Sequence, residues 1–484
     1  MGDRLKKIFT LFWLSSCLLY AVPQGISSAI ENAGLSKDDI GIYIKEISPS
    51  GRIVASINKD TPKTPASVIK VLSTYSSVLK LGFNHKWPTK FYIAGTLDKN
   101  GVLNGDLVVK GFGDPTFSTR NLKTIVVRII SKGIKHISGD IVIDRSYFNV
   151  GEKNNSGFDE YTYSPYNAMP DAMMINERVS TICIVPNKNR VNKKTPDESY
   201  KVINKLTRVD APCKGKYTFV GARVDKNSAS PTVFLQGKVS KKCGKINVCK
   251  VITKPYKTFH YALKAMLKKY GVEVGGTMRL EEVPSGAKEI FTHYSKTLEK
   301  IVSKTAKKSN NLYARHLLLY MGAKEYGAPS TLEKGRKAVE KILRRYGAIK
   351  SKDLTLDNGC GLSHDAKISA KLLSDVLEHA YKKFGQKWMN TLSIAGVDGT
   401  IKKRFRGTVV KNRAWMKTGT LNRVKNISGY VKGRNGKLYT VVILVNSNKG
   451  NWRASQLQND IIKWLVLGEK VKKKKSTTTK GNTK

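Results

Sequence analysis

The sequence predicts an α+β protein with strand-patterned runs near both ends of the chain, helices between them, and a long β-rich insert separating distant parts of one domain. Three observations predict this. Two alternating apolar runs at residues 41–47 and 52–57 are joined by Ser48-Pro49-Ser50-Gly51, which reads as a hairpin. Two further β-patterned runs, 424–431 and 438–445, follow the strand-like Trp415-Met416-Lys417-Thr418-Gly419-Thr420 near the C-terminus. Between these ends lie amphipathic helices and, over about 87–288, short β-rich segments punctuated by Gly and Asn.

In chain order, the first hairpin leads through a polar loop into Thr64-Pro65-Ala66-Ser67-Val68-Ile69-Lys70. Pro65 suits the first position of a helix, where its missing N–H has no intrahelical partner to lose. The apolar set Val68, Ile69, Val71, Leu72, Tyr75, Val78 and Leu79 supplies a core-facing stripe, and Gly82 ends it. Ser67 and Lys70 therefore share a helix face, one turn apart. S-x-x-K also occurs at Ser56/Lys59 and Ser77/Lys80. The first falls on a strand end and the second in the last turns of the helix, so only Ser67 stands at the positive end of the helix dipole.

The insert carries strand-like 90–95, 105–111 and 139–144, a helical 121–132, and more strand over 218–239. Helical patterns return at 259–270 and 298–304, and Ser309 is expected to enter a helix running to Tyr320. Residues 332–346 and 368–384 are amphipathic helices flanking the Gly-rich Asp357-Asn358-Gly359-Cys360-Gly361-Leu362-Ser363-His364. Asn435-Gly436 is the dipeptide favoured in two-residue hairpin turns, and 452–467 is a final helix. Residues 469–484 offer almost nothing to bury and read as a disordered basic tail.

Arg4, Lys6 and Lys7 precede an apolar run of about 15 residues ending at Val22. That is the pattern of a secretory signal peptide over 1–22, short of the ~20 residues a membrane-spanning helix needs. Leu14-Ser15-Ser16-Cys17 also resembles a lipoprotein box, disfavoured by the apolar residues after the cysteine. The mature protein is thus expected to be exported, to a periplasm or cell envelope. In an oxidising compartment Cys243 with Cys249, and Cys183 with Cys213, are candidate disulfides that leave Cys360 over. Neither zinc-ribbon spacing nor H-E-x-x-H occurs, so no metal or cofactor is expected. The 87 Lys+Arg against 36 Asp+Glu give a net charge of +51 and point to anionic surroundings, such as an anionic envelope surface. Nucleic acid is not the expected partner, because no zinc finger, basic zipper or RNA-recognition signature is present.

Three motifs stand in one order: Ser67-Val68-Ile69-Lys70, Ser309-Asn310-Asn311 and Lys417-Thr418-Gly419. This S-x-x-K, S-x-N, K-T-G set resembles that of the serine penicillin-recognising enzymes. Ser309 follows Ser67 by 242 positions, more than a β-lactamase needs. Over roughly 28–468 the chain resembles the class C low-molecular-mass penicillin-binding proteins, three-domain D-alanyl-D-alanine carboxypeptidase/endopeptidases. Gly111-Phe112-Gly113-Asp114-Pro115-Thr116, Pro165-Tyr166-Asn167-Ala168 and Gly396-Val397-Asp398-Gly399-Thr400 are similar to that family's segments.

The resemblance implies a β-lactamase/transpeptidase-like domain with a five-stranded sheet at 23–88 and 289–468, and two smaller β-rich inserts. These are expected at 89–117 with 207–288, and at 118–206. It also implies an acyl-enzyme on Ser67, with Lys70 as general base and Ser309 relaying a proton to the leaving amine. Asn311 would hold the substrate amide and orient Lys70, Lys417 would supply positive charge, and Thr418 and Thr420 would bind the terminal carboxylate beside Gly419. The backbone N–H groups of Ser67 and Thr420 would form the oxyanion hole. Peptidoglycan peptides are the implied substrates and β-lactams the implied covalent inhibitors. Asn310, Arg315, Asn358 and Cys360 depart from the family pattern, which has Asp, an acidic residue, Asp and Ser there. A β-lactamase and a non-catalytic cell-wall binder are the alternatives; a binder has no need of Ser67 or Lys70.

Overall fold

A computed structural model describes residues 22–150, 158–225, 230–351 and 353–468. The expected signal peptide, Cys17 and the basic tail lie outside the described residues, apart from Val22. No helix among the described residues is long and apolar enough to cross a membrane.

The central sheet is antiparallel and six-stranded, in the order Ser393–Ile394, Ala414–Leu421, Val424–Lys432, Leu438–Val445, Ile40–Glu46, Ile53–Ile57. The join between the chain's two ends is the pairing of Ile40 with Val445 through Glu46 with Tyr439. The five long strands match expectation, and the two-residue edge strand at Ser393 is added to them. Alternating side chains point to opposite faces, and here both faces are covered. Tyr43, Tyr430, Val442 and Leu444 pack under helices Lys70–Leu81, Asn311–Tyr326, Leu332–Arg345 and Ala370–Met389. Ile42, Ile44, Ile427, Val441 and Ile443 pack under Gln24–Ala33 and Asn451–Leu467. Burial on both faces explains the nearly unbroken apolar run at Leu438–Val445.

Two smaller β-rich units occupy the insert, but their division differs from the expected boundaries. Strands Pro88–Leu97, Val102–Gly111, Ile141–Asp144 and Lys288–Tyr294 belong to one seven-stranded sheet. Helix Thr119–Ile130, placed by the sequence in the other unit, buries Leu122, Ile125, Val126 and Ile129 in that sheet's core. The other unit holds two three-stranded sheets between Ser180 and Lys250. A boundary at 206/207 would cut strand Lys201–Val209, which pairs in parallel with Thr232–Ser240 along its whole length. Parallel pairing of strands distant in sequence leaves no local turn signal to mark the boundary.

Cysteine pairing also differs. The bond is Cys213–Cys243, joining the connections that follow the two parallel strands. Cys183 and Cys249 lie on adjacent strands but out of register, opposite Asn247 and Thr181, and neither is bonded. The turn at Asn435-Gly436 is wider than expected, with residues 433–437 linking Lys432 to Leu438. A two-residue type I′ turn needs positive φ at both centres, and only Gly436 has it.

Candidate active site

The segment that carries Ser67 begins as a short 3-10 turn, Ala66–Ile69, and continues into the helix Lys70–Leu81. Pro65 is its N-cap, one residue ahead of the first helical position expected for it. Asn426, fully buried on the neighbouring strand, donates to the carbonyls of Thr64 and Pro65, both at 2.9 Å, and accepts from Val445 N–H at 2.8 Å. One amide thus ties the turn to two strands of the central sheet. The sequence reading did not single out Asn426; an asparagine inside an otherwise apolar strand pattern was the available signal.

Gly419 faces the same turn. A Cβ there would stand 2.7 Å from Pro65 O and 3.0 Å from Ser67 N, so the strand's close approach to Ser67 requires glycine. Gly361 meets the turn from the other side, where a Cβ would lie 2.0 Å from Ala66 O.

Lys70 Nζ lies 2.7 Å from Ser67 Oγ and 2.8 Å from Asn311 Oδ1, and it also donates to Cys360 O. Ser67 Oγ is 3.4 Å from the same carbonyl. Lys70 is 0% exposed. Burial pulls its ammonium down to about 8, and the Arg315 guanidinium adds to the decrease. No carboxylate is within ion-pair distance of Lys70 among the described residues, so the amine is set up to be neutral in mild alkali.

On the opposite side Lys417 Nζ donates to Ser309 Oγ at 2.9 Å and to Thr418 O at 2.5 Å. It too is 0% exposed, and burial together with the nearby Lys70 holds its pKa well below the usual lysine range. Ser309 does not enter the helix as expected. It stands at φ 52 two residues before Asn311–Tyr326, and this left-handed turn brings its hydroxyl to Lys417. Asn310 is the N-cap, accepting from Tyr313 N–H at 2.9 Å while donating to Glu177 at 2.7 Å. An aspartate at 310 could cap the helix but would repel Glu177, which accounts for that departure from the family pattern.

The remaining expected residues line the same strand. Thr418 Oγ1 donates to Thr400 at 2.9 Å, and Thr420 Oγ1 accepts from Lys425 Nζ at 3.2 Å. Thr420 is exposed and Thr418 partly so, which leaves their hydroxyls reachable. Asn311 Nδ2 donates to Tyr166 O at 3.0 Å, tying the S-x-N helix to the insert. All eight sequence-expected residues therefore come together around Ser67. Lys425, Thr400 and the carbonyls of Tyr166 and Cys360 complete the surroundings. The sequence assigned these no role, since a backbone carbonyl leaves no residue-type signature.

Two other departures have structural reasons. Asn358 accepts from Cys360 N–H, Gly361 N–H and Cys360 Sγ, and donates to Leu362 O at 2.6 Å. A carboxylate could not make the last bond. That loop geometry aims Cys360 O at Lys70. Buried Arg315 donates to Asn167 O at 3.1 Å and Ala168 O at 2.7 Å, bracing the segment that presents Tyr166 O.

The family model described as D-Ala-D-Ala carboxypeptidase 3 (S13) matches residues 22–466. A D-alanyl-D-alanine carboxypeptidase DacB of Haemophilus influenzae is 27% identical over 426 residues, covering 84% of this chain and 85% of that protein. The crystal structure of penicillin-binding protein 4 (dacB) from the same organism superposes with a TM-score of 0.76 at 25% identity, covering 91% of this chain and 99% of that one. Its complex with a β-lactam gives 0.71 at 25% identity, with coverage of 91% and 100%. The chain belongs to the D-Ala-D-Ala carboxypeptidase 3 (S13) family.

Proposed function

We propose that this protein is a serine D-Ala-D-Ala carboxypeptidase/endopeptidase of peptidoglycan that works through an acyl-enzyme on Ser67 and is inhibited covalently by β-lactams. The single observation that carries the reading is the contact of Ser67 Oγ with a fully buried Lys70 amine whose pKa is drawn down to about 8. A hydroxyl with an ordinary pKa needs such a neighbouring base to become a nucleophile.

In the proposed reaction neutral Lys70 takes the Ser67 proton as Oγ attacks the penultimate D-Ala carbonyl. Backbone N–H groups of Ser67 and Thr420 hold the developing oxyanion; preorganised donors of this kind stabilise charge in the transition state. The proximity of Gly419 to Ser67 N supports that placement. Ser309, bonded to Lys417, passes a proton to the leaving amine. Thr418 and Thr420 bind the substrate's terminal carboxylate, and water releases the acyl group. Carboxypeptidase and endopeptidase action share these steps and differ in what lies beyond the leaving amine.

A peptidoglycan substrate implies work outside the cytoplasm, in a periplasm or cell envelope, which the leader-like N-terminus supports. We read the +51 charge as attraction to anionic envelope material. Association with purified sacculi should then weaken as salt rises, and salt-independent association would count against it. The test of function is D-alanine release from a muropeptide pentapeptide, expected for the wild type and absent in Ser67→Ala. Undiminished release by the variant would refute the assigned nucleophile. Product identification after digestion of sacculi separates the two peptidase activities.

A further inference from the structure

We propose that a second, basic cleft beside the active site binds the carboxylate-bearing stem peptides of the peptidoglycan polymer. The inference rests on the peptidoglycan reading above. The cleft encloses about 730 Å³ where the two inserted units meet helices Leu298–Lys307 and Asn311–Tyr326. Arg120, Lys194, Lys296, Lys300 and Lys304 line it, together with one carboxylate, Glu177. Glu177 is already engaged, accepting from Lys304 and, at 2.7 Å, from Asn310. Arg120, Lys194, Lys296 and Lys300 are exposed, and none forms an ion pair among the described residues. Asp114, which interacts with Lys296, is buried, accepts from Thr116 at 2.7 Å and does not line the cleft.

Two features distinguish this cleft from the chain's general excess of lysine. First, it is concave and gathers four unpaired cations from three separate parts of the chain, with Tyr294, 58% exposed, among them. Clefts lined by one sign of charge concentrate oppositely charged ligands. Second, the segment that contributes Asn176 and Glu177 to its lining is held in an unfavourable backbone. Asn176, Glu177 and Arg178 all have positive φ, at 52, 56 and 61. Three consecutive left-handed non-glycine residues persist only where the surroundings impose them, and such strain gathers at functional sites. Here the bend delivers Glu177 to Asn310, the residue between Ser309 and Asn311. The cleft therefore reaches the S-x-N turn through the bond of Glu177 with Asn310. A polymer with one stem in the active site has neighbouring stems, each bearing carboxylates, within reach of such a cleft.

The test uses the full chain carrying Ser67→Ala and measures binding of a soluble disaccharide tetrapeptide, with polyphosphate as a second probe. Lys296→Glu/Lys300→Glu should weaken tetrapeptide binding at least tenfold. Lys432→Glu/Arg434→Glu, an equal charge change where strand Val424–Lys432 meets the turn 433–437, should leave it within about threefold. Equal effects of the two pairs, or a cleft that takes polyphosphate but not the tetrapeptide, would overturn the proposal. With Ser67 intact, the cleft pair should raise KM for sacculi while D-alanine release from a short acyl-D-Ala-D-Ala peptide stays unchanged. Loss on both substrates alike would overturn it, whereas a wild-type enzyme inactive on the short peptide would instead overturn the peptidase reading.

Discussion

Two buried lysines lie close to one another at the site, and their surroundings differ. Lys70 touches the Ser67 hydroxyl, an amide oxygen and a carbonyl. Lys417 touches the Ser309 hydroxyl and lies on the strand that carries Thr418 and Thr420. Burial lowers both pKa values, and Lys417 is lowered further by Lys70. Two ammonium groups so close disfavour one another. A substrate carboxylate settled beside Lys417 would favour its charged form, and that charge would press Lys70 toward the neutral amine a base requires. On this view the substrate helps activate its own attack.

The comparison breaks most visibly at Lys70. Lys70→Met should lower kcat/KM by about 10⁴-fold, the upper range for a general base. Lys70→Arg should do no better, because a guanidinium does not deprotonate. In the wild type, kcat/KM should rise with pH, pass its half-maximum near pH 8 and level off above it, since the ammonium form of Lys70 cannot accept the Ser67 proton. Lys417→Met should cost about 10²-fold and sharpen the contrast. The kcat limb, which reports the substrate complex, should lie below the kcat/KM limb in the wild type and coincide with it in the variant. Coincident limbs in both proteins would remove the proposed coupling.

Smaller effects test the frame around the pair. Gly419→Ala forces a methyl against Pro65 O and Ser67 N. It should destabilise by about 1–3 kcal/mol, as overpacking does, and slow acylation by pushing the strand from Ser67; thermal melts and acylation rates check both. Arg315→Gln removes a like charge that lowers the Lys70 pKa and loosens the segment presenting Tyr166 O. A few-fold loss at pH 7, recovered as the limb is passed at higher pH, is expected from a pH–rate profile.

Much of this site could be read from the sequence, because local pattern governs it. Pro65, the apolar stripe behind Ser67 and the strand runs at both ends are each short-range signals, and they placed Ser67, Lys70 and Lys417 on the right elements. What escaped depends on contacts between distant residues. The division of the insert turns on a parallel pairing of Lys201–Val209 with Thr232–Ser240. The Cys213–Cys243 bond follows from where those strands end. Ser309 leaves the helix because its hydroxyl is turned toward Lys417, which lies 108 residues on. Cys360 matters through its carbonyl, which any residue type would supply.

The most direct test is the pH dependence of acylation by a labelled penicillin, with the adduct located by mass spectrometry. A single adduct is expected on the peptide containing Ser67, forming at a rate that is half-maximal near pH 8, reaches its plateau above that and is abolished in Lys70→Met. A folded protein that stays unlabelled, a label on another residue, or a rate indifferent to Lys70 would contradict the account.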